Sequence, residues 1–243
     1  MRALRFGRWQ DTHLLARKRL NMKHRPRIAL IHAVQVAMEP IHRALDTGWP
    51  EAEAINILDD GLSMDRSRDV QLTEAMTDRI MALARYAHRA GAEGILFTCS
   101  AFGPAIEQAD ADLPIPVLKP NEAMFETAMG YGTRIGMLAT FGPAVATMEA
   151  EFEAEARRLV PQARLTTVLV PQAMEALRNG DAPTHNRLVA EHASRFEDVD
   201  ALILAHFSTS RAGAAVREVT RFPVLTSPEA AVTKLRRLVT RTS

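Results

Sequence analysis

GILFTCSAFGPAI (94–106) and ALILAHFSTSRAG (201–213) are one pattern written twice, and that repetition decides the fold. Each opens with a short apolar run, passes through a few small polar residues and continues as a helix-like stretch. An apolar run with no polar face reads as a strand of a parallel sheet covered on both sides. A shift of 107 residues places GILFTC (94–99) on ALILAH (201–206). The same shift, without a gap, places RIALIH (27–32) on RIGMLA (134–139) and IPVLKPNE (115–122) on FPVLTSPE (222–229). One offset that serves three separated segments predicts two similar halves.

Between these anchors, strands and helices alternate. AEAINILD (52–59), PVLK (116–119), LTTVLV (165–170) and PVLT (223–226) read as further strands. MEPIHRALDTGW (38–49) reads as a helix, with Pro40 tolerated near its start. A long amphipathic helix is predicted from Asp69 to Ala90, with Leu72, Met76, Ile80, Leu83 and Ala87 on one face and Gly91 closing it. Further helices are expected over 144–159, 171–179, 183–197, 208–219 and 228–240. Such alternation predicts an α/β protein with parallel sheets covered on both faces. The division expected is a poorly ordered basic extension over 1–26, a first lobe over 27–125 and a second over 132–227. The closing helix 228–240 is assigned to the first lobe.

The bulk numbers set limits. The 243 residues, 47 % hydrophobic and 24 % charged, can bury a sizeable core. No apolar run is long enough for a transmembrane helix, and the N-terminus lacks the pattern of a secretory signal. Cys99 is the only cysteine, which excludes an internal disulfide and a cysteine-rich zinc site. A cytoplasmic protein is expected. Residues 1–27 carry nine Lys or Arg against the single acid Asp11, whereas the whole chain carries +1, so the body is mildly acidic. Such a tail suits nucleic acid, an anionic membrane or an organelle leader. The plainer reading is an extension without function ahead of Met22, since MKHRPRIALIH (22–32) is an ordinary run-in to a first strand. An acidic body argues against a nucleic-acid partner, and no membrane partner is expected.

Open parallel sheets bind ligands beyond the carboxyl ends of their strands, so two facing halves would share one crevice. The offset pairs Cys99 with His206, each ending an apolar strand and preceding a helix. A thiol at a helix N-terminus is expected to have a lowered pKa, and a thiolate beside a carbon acid serves as base or nucleophile. The N–H groups of Ser100, Ala101, Ser208 and Thr209 are placed to hold a carboxylate or enolate oxygen, although these residue types are also ordinary caps. His32 ends the first strand at the same sheet edge, and Thr140 follows the matching strand. No metal site is expected: His185 and His192 lie seven apart on a helix read as a surface one, without a third ligand. Asp59 and Asp60 read as solvated turn acids. The GxSxG, phosphate-loop and dinucleotide motifs are absent.

Taken together, ILFTCSAFGPAI (95–106), RIGMLAT (134–140) and ALILAHFSTS (201–210) resemble the aspartate/glutamate/hydantoin racemase superfamily, over roughly residues 27–240. The resemblance implies two pseudo-symmetric, flavodoxin-like lobes with the active site in the interlobe cleft and no cofactor. It implies two cysteines, one from each half, that move a proton across opposite faces of a substrate α-carbon. Cys99 matches the first of these, Ser100 and Ala101 match the residues that grip the carboxylate, and Thr140 stands where a strand-end threonine does. The second position falls at or beside His206. Two-thiol racemisation is therefore closed to this chain. The readings that remain are a racemase or epimerase with His206 as the second base, and a decarboxylase or cis–trans isomerase of a small carboxylate with Cys99 alone. A non-catalytic metabolite-binding protein is the alternative outside enzymes. The expected partner is a small carboxylate or amino-acid derivative, and a homodimer is an expectation of the resemblance.

Overall fold

The computed structural model describes residues 24–69 and 71–242. The basic extension therefore lies outside the described residues except for its last three. The order is β1 (Arg27–His32), α1 (Met38–Gly48), β2 (Glu53–Leu58), α2 (Gly61–Arg66), α3 (Glu74–Arg89), β3 (Gly94–Phe97), α4 (Gly103–Asp112), β4 (Val117–Leu118) and α5 (Glu122–Met129). It continues through β5 (Arg134–Ala139), α6 (Val145–Leu159), β6 (Arg164–Leu169), α7 (Pro171–Arg178), α8 (Ala182–Ala193), β7 (Ala201–Leu204), α9 (His206–Thr209), α10 (Gly213–Val219), β8 (Val224–Thr226) and α11 (Ser227–Thr242).

The strands form two four-stranded sheets of one design, β2-β1-β3-β4 and β6-β5-β7-β8. Every pairing is parallel. The 107-residue offset superposes β1 on β5 and β3 on β7 residue for residue. The edge strands β2 and β6 lie 111 apart, so the second half carries four additional residues before its edge. The central strands are buried on both faces because helices cover both, which is why their sequences do not alternate.

In the first lobe, α3, α4 and the 3₁₀ turn ahead of α4 bring Ile80, Ile106 and Phe102 onto one face of the sheet, against Ile31 and Phe97. The other face, with Ile28, Leu30 and Leu96, is covered by Ile41 of α1 and by Val232, Leu235 and Val239 of α11. In the second lobe, Met124 and Phe125 of α5 join Phe152 of α6 on one face. Phe125 and Phe152 meet edge to face at 5.6 Å. Val189 of α8 and Val216 of α10 cover the opposite face.

Two helices are exchanged between lobes. α5 follows the last strand of the first sheet but packs on the second, and α11 follows the last strand of the second sheet but packs on the first. The chain thus crosses over before Glu122, and residues 122–125, counted with the first lobe from strand spacing, belong with the second. Gly94 admits α11: a Cβ there would lie 2.9 Å from Val239 Cγ2 and 3.0 Å from Leu235 Cδ1. Lys234 of α11 joins Glu122 and Glu126 of α5, each at 2.8 Å.

The helix predicted from Asp69 begins at Glu74, because Thr73 Oγ1 accepts the Met76 N–H at 3.3 Å and caps it there. The short α2 was not foreseen. The expected helix 208–219 is divided into α9, a 3₁₀ turn and α10. His185 is buried and bonded to Asn186, not on a surface face. Asp59 is bound by Arg79 instead of being free in solvent. Among the described residues no helix is long and apolar enough to cross a membrane.

Candidate active site

The carboxyl ends of β3 and β7 carry the two residues that the repeat pairs. Cys99 is extended (φ −128°, ψ 124°) and leads into a 3₁₀ turn over Ser100–Phe102. His206 opens α9 with φ 68°, the left-handed region that a non-glycine residue enters at a cost of about 1–3 kcal/mol. Both line one cleft of about 990 Å³ between the lobes, together with Ser100, Ala101 and Ser208. The sole thiol and an imidazole thus reach the same space from opposite lobes.

Their electrostatic settings follow from burial. His206 Nε2 is buried without a hydrogen-bond partner among the described residues. Desolvation holds the imidazole below its ordinary pKa, so it stands neutral at pH 7. The Cys99 thiol is pushed up, not down. Burial is the largest cause and Glu151 adds to it, while the Ala101 N–H and the Arg66 guanidinium act the other way. The expected helix-end activation fails because α4 begins only at Gly103, four residues on, and a helix dipole fades within its first turn. The resting pair is a protonated thiol and a neutral imidazole.

Three expected site residues are not among those lining the cleft. Thr140 and Thr209 are buried and bonded to each other at 3.1 Å, which ties the residue after β5 to the end of α9. His32 is likewise buried, at 2.9 Å from Thr98 Oγ1 and 3.0 Å from Asn56 Oδ1. Burial lowers its pKa. With the ring neutral, Nε2–H donates to Asn56 and Nδ1 accepts from Thr98. His32 therefore steadies Thr98, the residue before Cys99.

Sequence reasoning missed four residues here. Arg66, at the end of α2, lines the cleft and donates to the carbonyls of Ala101 (3.2 Å) and Asp69 (2.6 Å). Arg178, at the end of α7, lines it from the other lobe, 5.9 Å from the Phe141 ring. Asn121 lines the cleft and passes contact to Glu151 of α6: Nδ2 donates to Oε2 at 2.8 Å, while Ser227 Oγ donates to Asn121 Oδ1 at 2.8 Å. Glu151 Oε1 is buried without a partner among the described residues. Burial raises the Glu151 carboxyl, with the Asn121 amide and the Ser100 hydroxyl opposing. Glu151 lines a second cavity of about 760 Å³, and Arg66, Ser100, Ala101 and Thr147 border both spaces. The only available signal for Arg66 was its place eight residues past the end of β2. Among the described residues no group of three His, Cys, Asp or Glu could hold a metal ion.

Over residues 32–198 the sequence matches the family model described as Asp/Glu/Hydantoin racemase. The chain belongs to the Asp/Glu/hydantoin racemase family. No curated protein matches the sequence. Among solved structures, this racemase-family chain is similar to allantoin racemase from Klebsiella pneumoniae, with TM-score 0.65 and 15 % identity over 89 % of each chain. Glutamate racemase from Thermus thermophilus gives TM-score 0.63 and 22 % identity, over 90 % of this chain and 82 % of that one. A cysteine variant of arylmalonate decarboxylase, in a sulfate-associated form, gives 0.64 and 18 %, over 90 % and 95 %. At such identities these likenesses establish the two-lobed fold. Racemases are isomerases, and family membership places this chain among them.

Proposed function

We propose that this racemase-family protein is a cofactor-independent racemase or epimerase of a small carboxylate, with Cys99 and His206 as its two acid–base groups. One observation carries the reading: the sole thiol and a neutral imidazole, whose buried Nε2 has no partner among the described residues, hold corresponding strand ends and line one interlobe cleft. Neutral His206 accepts the α-proton from one face of the substrate. The Ser100, Ala101 and Ser208 backbone and the Arg66 guanidinium stabilise the enediolate. The Cys99 thiol then delivers its proton to the opposite face. The α-carbon is inverted, and the protein is left as thiolate and imidazolium, the form that catalyses the reverse reaction. A lone reduced thiol suits a cytoplasmic setting, which belongs to this proposal.

A second reading has its own support. A protonated Cys99 is a ready donor to a carbanion formed by loss of carbon dioxide, and the decarboxylase likeness fits such a step. Substrate in D2O separates the two. Racemisation of a single enantiomer with deuterium entering the α-position, the inversion being abolished by Cys99→Ala, supports the first. Carbon dioxide release in step with substrate loss assigns the second. Stabilisation by a ligand that survives Cys99→Ala, with no turnover, points to a binding protein.

A further inference from the structure

The charges around the cleft are one-sided. Arg66 and Arg178 approach from opposite lobes, and no Asp or Glu is among the described residues that line it. Neither arginine forms an ion pair with an acid among the described residues; Arg66 is held by two backbone carbonyls, so its charge is left for a guest. The remaining wall is largely apolar, with Val34, Val36, Phe141, Met174, Leu177 and Phe207 prominent. Val36 is 60 % exposed and Phe141 36 %, so apolar surface stands open at this site until something covers it.

We infer that the cleft takes a carboxylate bearing an apolar α-aryl or α-alkyl substituent and no ammonium group, rather than a free amino acid. The inference rests on reading this cleft as the substrate site. A carboxylate meets two arginines, which suit it in charge and in planar geometry. An ammonium brought into the same space loses its water and finds no anion in return, which is costly for any charge taken out of solvent. Glu151, bonded to Asn121 of the cleft wall through its Oε2, lies in the adjoining cavity. Glu151 lines that cavity and not the cleft, so it does not serve as a counter-ion for an ammonium in the cleft. The apolar wall needs a substituent that an acidic amino acid does not supply.

The test uses the full chain and its Cys99→Ala variant, titrated calorimetrically with matched probes in which an ammonium replaces an α-methyl or an α-hydrogen. The pairs are 2-phenylpropanoate against 2-phenylglycine and 3-phenylpropanoate against phenylalanine, with glutamate and 5-phenylhydantoin alongside. The expected result is that each amine-free acid binds at least about tenfold more tightly than its amino counterpart and than glutamate. Arg66→Gln is expected to weaken it by a similar factor, with an unchanged circular dichroism spectrum. Equal or tighter binding of the amino acids overturns the inference, as does preference for the uncharged hydantoin, or no saturable binding of either acid at millimolar concentration. The readout is binding alone. Intact preferences without isotope exchange would therefore discard the proposed reaction and leave the ligand class standing, while exchange with reversed preferences would discard the ligand class alone.

Discussion

The thiol of Cys99 titrates above the ordinary cysteine range because desolvation of the thiolate outweighs what the Ala101 N–H and Arg66 return. Alkylation follows the thiolate, so iodoacetamide should react slowly with the folded protein at neutral pH and faster only above the usual thiol range. Glu151 is part of that rise. Glu151→Gln removes its negative charge, and the alkylation profile should move to lower pH; an unmoved profile would show that Glu151 has no hold on Cys99. His206 occupies a left-handed backbone position that asparagine tolerates. His206→Asn is therefore the variant that removes the base and keeps the turn. The residue scale is also where sequence reading stopped short. Which strand ends carry Cys99, His206, His32 and Thr140 was legible from the repeat. Which side chains face the cleft was not, because that depends on the turn after each strand. The turn after β3 exposes Cys99, whereas Thr140 rotates onto Thr209.

At the scale of elements, the strands were legible because each is buried on both faces and the same spacing recurs. The α2 helix was not. Six residues, GLSMDR, are too few to show a helical period, and with α2 went Arg66. The exchange of α5 and α11 likewise leaves no periodic mark, since a helix's apolar face does not say which sheet it meets. That exchange is nevertheless what closes the first core. Leu235 is fully buried between α11 and the first sheet, and a Leu-to-Ala change in such a site costs about 2–5 kcal/mol. Leu235→Ala should lower the unfolding free energy by that amount, read as a fall in the urea midpoint at unchanged m. It should also destabilise both lobes in one transition, because the α11 it loosens is tied to α5 of the second lobe by Lys234. Separate unfolding of the lobes would contradict the exchange.

For the whole molecule, three desolvated histidines, His32 and His185 in the core and His206 at the cleft, shape the response to acid. His32, His185 and His206 all have pKa values lowered by desolvation. A depressed folded-state pKa means that the unfolded chain binds the proton first. The stability these groups contribute is present above the ordinary histidine range and is lost as pH falls through it. Urea unfolding at about pH 7.5 and about pH 5.5 should show the loss, and His185→Gln, which leaves the cleft lining unchanged, should reduce it. The two lobes are also what makes the proposed chemistry two-sided, since each supplies one acid–base group to a common α-carbon. The most direct measurement is α-proton exchange in D2O on each separate enantiomer of an α-substituted carboxylate such as 2-phenylpropanoate, by proton NMR. The wild type should exchange and invert both. Cys99→Ala should invert neither but still exchange the enantiomer whose proton faces His206, and His206→Asn should keep exchange only in the opposite one. If both variants exchange the same enantiomer, or if inversion survives Cys99→Ala, the two groups do not act from opposite faces.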